Sequence, residues 1–152
     1  MPIPTSMSVL ESAVIAAPLS AVWHLIKLQD FSSFWRALKS SEVATGASVN
    51  DEVDVVKWTF TDGMVLEVKM EEHSSIEHYI TYSVISAAPK MEYSSVVSTV
   101  RCFPVTSGEH EGHTFVQWSG NFSSDASADV IEDAKYKRRE ALADLAAAVT
   151  KK

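Results

Sequence analysis

The sequence predicts an α+β domain: a curved seven-stranded antiparallel sheet around a long C-terminal helix, with two short helices after the first strand. Three observations predict it. Apolar residues recur with a period of two through most of residues 41–124 and with a helical period from 128 onward. Turn residues break the strand-like stretch at short intervals. Strands joined by short turns must run antiparallel, because a parallel return needs a dozen or more residues.

Taken in order, Ser8–Ala16 is β-branched and partly alternating, which suits a strand. Pro18 then opens a helix from a first-turn position, where its missing N–H costs nothing. Val22, Trp23, Leu25 and Ile26 give that helix one buried face. Phe31, Phe34, Trp35 and Leu38 predict a second short helix over about Phe31–Leu38. Six strands are expected next: Ser41–Thr45, Glu52–Phe60, Met64–His73, His78–Ser86, Glu92–Phe103 and Thr114–Ser123. Thr61-Asp62-Gly63 is a hairpin turn, since glycine supplies positive φ. Ala88-Pro89-Lys90 separates the fifth strand of the chain from the sixth.

The last segment, Ala128–Val149, is the longest helix. Ser124, Asp125 and Ser127 offer N-caps, and Asp129, Glu132 and Asp133 place negative charge at its start. Ile131, Ala134, Arg138, Ala141, Leu142, Leu145 and Val149 share one side. It is the only element large enough to cover the dry face of the sheet.

Residues 1–152 suit one domain, and a chain of this length can stabilise itself without metals or disulfides. Cys102 is the only cysteine, which fits a reducing, cytoplasmic setting. The first six residues do not read as a signal peptide, and no run approaches the roughly 20 apolar residues that span a bilayer. The net charge of −7 argues against nucleic acid or an anionic membrane as main partner. His110-Glu111-Gly112-His113 has metal-binding residue types, but its spacing is not that of a helical zinc motif, and a solvated loop is expected. No Gly-x-Ser-x-Gly elbow supports a serine hydrolase. No metal or cofactor is expected.

Several local patterns resemble the START-related superfamily (SRPBCC), which includes the birch-pollen allergen fold and the polyketide cyclase/dehydrase and lipid-transport group. Ala17-Pro18 with Val22-Trp23 resembles the opening of that family's first helix. Tyr79–Ile85 resembles its central strand, Val116–Phe122 its last strand, and Tyr136–Leu145 its closing helix. The resemblance covers nearly the whole chain and implies a helix-grip fold with an internal cavity. Lys90–Val96 is similar to the strand in which plant hormone receptors of the superfamily turn a tyrosine and a serine toward ligand, which implies Tyr93 and Ser95. Trp35–Val43 is similar to the stretch that carries their lysine for an acidic ligand, which implies Lys39. The receptors' gate and latch sequences have no counterpart.

The residues themselves add further candidates. Tyr82 alternates with Ile80 and Val84 on a face that should look inward. Trp35, Trp58 and Trp118 supply large rings, while Ala134, Ala141 and Gly120 remove bulk, a combination that suits an apolar cavity. Arg138 sits on the apolar side of the helix, where it either snorkels to solvent or holds a ligand carboxylate. Each tyrosine reads equally well as a pocket wall or as plain core. Three functions follow. A carrier of a small hydrophobic molecule is favoured over a cyclase/dehydrase using the same cavity and over a co-chaperone-like interaction module. A homodimer is compatible with the sequence.

Overall fold

The computed structural model describes residues 7–43 and 55–150. Its elements are β1 (Ser8–Ile15), α1 (Leu19–Trp23), a 3-10 helix (Leu28–Ser33), β2 (Leu38–Val43), β3 (Val55–Phe60), β4 (Val65–Ser74), β5 (Tyr79–Ala88), β6 (Val96–Pro104), β7 (Thr114–Phe122) and α2 (Ala128–Thr150). The seven strands form one antiparallel sheet in the order β1-β7-β6-β5-β4-β3-β2. This is the expected helix-grip architecture.

Alternation along each strand decides which side chains look inward. Val56, Trp58 and Phe60 do so on β3, Ile80 and Tyr82 on β5, Val96, Ser98 and Val100 on β6, and Val116, Trp118 and Phe122 on β7. Register shifts interrupt the β2–β3 and β4–β5 ladders. Such bulges bend a strand and increase its twist, which lets the sheet curl around α2.

Several boundaries differ from the sequence expectation. The second short helix occupies Leu28–Ser33, earlier than expected, and the chain then turns so that Leu38 already pairs with Phe60. The Trp58 indole N–H donates to the Leu28 carbonyl at 2.8 Å, which fixes this helix on β3. Pro18 stands one position before α1, in extended conformation. The sixth strand of the sheet in chain order starts at Val96 rather than Glu92, so residues 89–95 form a loop. The ends of two expected strands (residues 44, 45 and 52–54), the N-terminal hexapeptide and Lys151–Lys152 lie outside the described residues.

The buried residues form two clusters. The larger centres on Phe31, which packs against Phe34, Trp58, Tyr82 and Trp118, and it includes Ala141, Leu142 and Leu145 of α2. The smaller gathers Val9, Val96, Phe122 and Ala126 under Ile131 and Ala134. The helix therefore grips the sheet at both ends. At its start, the Ser127 hydroxyl accepts the Val130 N–H at 3.2 Å, so the third of the proposed caps is the one used.

Candidate functional site

A cavity of about 240 Å³ opens between these clusters. Trp35, Trp58, Phe60, Leu66 and Trp118 wall it on the aromatic side, and Val130, Ala134 and Arg138 of α2 close it opposite. Tyr93 and Met91 border it from the 89–95 loop. Lys90, Glu92, Asp133 and Lys137 surround the edge that meets solvent. Glu92 and Asp133, the two carboxylates of the lining, are both exposed. A second groove of about 390 Å³ adjoins the cavity on the same loop and lacks its aromatic wall and its arginine.

Polar groups in the cavity gather around one point. The Trp118 indole N–H donates to the Tyr82 hydroxyl at 3.0 Å. Ser98 is a buried serine, only 3% exposed, and interacts with the same hydroxyl. Arg138 Nη2 donates to Ser98 Oγ at 2.8 Å, and Nη1 to the Ala134 carbonyl at 3.3 Å. The guanidinium also lies 5.9 Å from the centre of the Phe122 ring, a cation–π distance.

The sheet makes room for this arginine. Tyr82, Ser98, Gly120 and Val9 face one another across four neighbouring strands. Along that row the side chain shrinks from a ring to a hydroxymethyl group to nothing. A Cβ at Gly120 would collide with Arg138 Nη2 and stand 3.1 Å from Cζ. Gly120 thus gives its space to the guanidinium rather than to the cavity.

Burial sets the electrostatics. It pushes the Tyr82 and Tyr93 hydroxyls above their ordinary range, against the nearby Arg138 charge, so both stay neutral donors. It lowers Arg138, with the two tyrosines and the Glu11 carboxylate acting in the opposite direction. Arg138 as a residue is only partly buried, but its Nε is shut off from solvent and has no hydrogen-bond partner. No carboxylate pairs with it among the described residues: Glu11 pairs with Arg139 at 2.6 Å and Asp133 with Lys137 at 2.9 Å.

Of the expected site residues, Trp35, Trp58, Tyr82, Tyr93, Trp118, Ala134 and Arg138 line the cavity. Lys39, Ser95 and Ala141 do not. Lys39 is exposed on β2, because Leu38 takes the inward position beside it. Ser95 is exposed, borders the second groove, and ties its backbone N–H to Ser123 Oγ at 3.0 Å. Ala141 is wholly buried in the larger cluster, where it lets α2 approach the sheet. Tyr93 reaches the cavity from the loop and not, as expected, from a strand shared with Ser95 and Val97. Ser98 was missed, although its alternation with Val96 and Val100 placed it inward.

Other polar and reactive side chains stand apart from the cavity lining. Cys102 is buried, and burial pushes its thiol up to about 12. Glu67 faces away from the core and accepts the Ser86 hydroxyl at 2.7 Å. The His110 and His113 rings lie 5.5 Å apart and tilted in the β6–β7 loop, and no group of three or more metal-ligating side chains occurs among the described residues. No helix of the described residues is long and apolar enough to cross a membrane.

A helix-grip sheet enclosing a cavity between two packed ends defines a class of ligand-binding folds. The family model described as polyketide cyclase / dehydrase and lipid transport matches residues 6–150, and the chain belongs to that family. Solved structures share the fold. The protein XoxI from Bacillus cereus superposes with a TM-score of 0.80 at 21% identity, covering 95% of this chain and 96% of that one. An uncharacterised protein from Bacillus thuringiensis gives 0.79 at 21% identity, covering 94% and 98%. A protein from Nitrosospira multiformis gives 0.76 at 28% identity, covering 95% and 97%. No curated protein matches the sequence.

Proposed function

We propose that the protein binds and carries a small hydrophobic ligand in this cavity, with Trp35, Trp58, Tyr82, Tyr93, Trp118, Ala134 and Arg138 as contacts. One observation carries the reading: a ring-walled cavity whose polar groups converge on a single point around Ser98 and Arg138. Small-molecule sites are built this way, with apolar walls for affinity and few polar groups for orientation. Proton abstraction needs a base inside the cavity, and the two carboxylates of the lining, Glu92 and Asp133, are exposed, which favours carriage over cyclase chemistry.

Displacement of the neutral fluorophore N-phenyl-1-naphthylamine by linear alcohols tests the proposal. Each buried methylene is worth about 0.8 kcal/mol, so affinity should rise about fourfold per added carbon until the cavity is full. Native mass spectrometry should show one bound molecule. No bound fluorophore and no chain-length dependence would overturn the reading.

A further inference from the structure

We propose that the ligand is an apolar carboxylic acid, bound as its anion with the carboxylate on the guanidinium of Arg138. This inference rests on the carrier reading and deepens it.

Arg138 brings a positive charge to the wall of a largely apolar cavity without an ion-paired protein carboxylate: the charge of Glu11 acts on it, but Glu11 itself is bonded to Arg139. Removing such a charge from water is unfavourable unless it is paired. A guanidinium carries five N–H donors. Two hydrogen bonds are made, to Ser98 Oγ and to the Ala134 carbonyl, and both hold the group in place without neutralising it. The outer nitrogens thus retain donors, while the missing Cβ of Gly120 leaves the group seated against β7.

The surrounding groups select for acceptors. The Tyr93 hydroxyl makes no hydrogen bond among the described residues and borders the same cavity. The nearest acidic side chains of the lining, Asp133 and Glu92, lie at the solvent edge, and Asp133 is occupied by Lys137. The interior therefore offers one cation without an ion-pair partner, and neutral donors. A single negative charge with two planar acceptor oxygens matches that set, since carboxylates fit the arginine fork. A dianionic phosphate would bring more charge than one guanidinium balances.

Competition by decanoate, 1-decanol and decylamine for bound N-phenyl-1-naphthylamine at neutral pH reads the preference. Decanoate should bind at least tenfold more tightly than decanol, and decylamine most weakly. R138Q should lose that tenfold advantage, so that decanoate binds no more tightly than decanol. R138K should retain part of it. G120A, which pushes the guanidinium off its seat while keeping the charge, should weaken decanoate selectively and gives the same readout if R138Q does not fold. Equal affinity for acid and alcohol in the wild type, or an acid preference that survives in R138Q or, should that not fold, in G120A, would overturn the carboxylate assignment and leave the carrier reading intact. Failure of all three probes to compete would overturn both.

Discussion

The Tyr82 hydroxyl is buried between Ser98 and the Trp118 indole, and it is the acceptor for that indole N–H. Tyr82→Phe leaves a buried donor without a partner, which costs about 1–3 kcal/mol. Urea denaturation should show this loss with the far-ultraviolet circular dichroism spectrum unchanged. An unaltered midpoint would mean that the indole finds another acceptor. Tyr82 was legible from alternation alone, because Ile80 and Val84 flank it. Its hydrogen bond was not, since the partner lies 36 residues away on a strand two places along the sheet. Cys102 makes a prediction at alkaline pH. Burial raises its thiol from 9.0 to about 12, so above pH 9 the unfolded chain releases a proton that the folded chain keeps. Stability is therefore intact below pH 9 and falls as pH rises toward 12, by up to about 1.4 kcal/mol per pH unit. Tyr82, also raised by burial, acts in the same direction at higher pH. Cys102→Ala should flatten the decline that begins near pH 9 in urea midpoints, and a slope identical to wild type would refute it.

Among the elements, the end of the 89–95 loop is tied to the segment before α2 by Ser123 and, at Ser94, by Asp125. Asp125 accepts hydrogen bonds from the Ser94 amide at 3.0 Å and from the hydroxyls of Ser94 and Ser123. Those bonds hold its carboxyl down at about 2, below the usual 3.8. The tie is thus present above pH 4 and is lost as pH falls through about 2. Asp125→Ala should remove it at all pH values. Hydrogen exchange at the Ser94 amide should accelerate in that variant, and unchanged protection would exclude the tie. Sequence periodicity located all seven strands and both ends of the architecture, because one buried face imposes a period on every element. It extended β6 back to Glu92 on the set Tyr93, Ser95 and Val97, whereas the set that faces inward is Val96, Ser98 and Val100, one residue out of step. The misplacement of the second short helix has a similar cause. Phe31, Phe34 and Trp35 suit either a helix or the turns that follow one, and the choice is made by Trp58 bonding to Leu28 on another element. Lys39 was likewise assigned by likeness to a local stretch, whereas the start of β2 at Leu38 turns it outward.

At the scale of the whole molecule, the cavity exists because α2 is anchored twice. Its first half packs on the smaller cluster and its second half on the larger, leaving unfilled space between them. The side-chain row from Tyr82 through Ser98 to Gly120 belongs to three strands, yet its purpose is visible only against a fourth element, the helix that brings Arg138. No single segment of sequence encodes that fit. The two positions are consequently bound together in what they tolerate. Gly120→Ala in the wild type displaces a charged donor from Ser98 and should cost about 1.5–3 kcal/mol. In an Arg138→Ala background the added methyl meets vacated space, and the same change should be nearly neutral. The double-mutant cycle should therefore return a coupling of at least about 1 kcal/mol by urea denaturation, whereas additive effects would mean that the glycine serves the strand and not the arginine. A lineage that exchanges this arginine for a shorter residue frees position 120 to drift, and one that first gains a side chain at 120 has forfeited the arginine's seat. The order in which such substitutions arise thus decides whether a descendant keeps a charged floor or acquires a wholly greasy one.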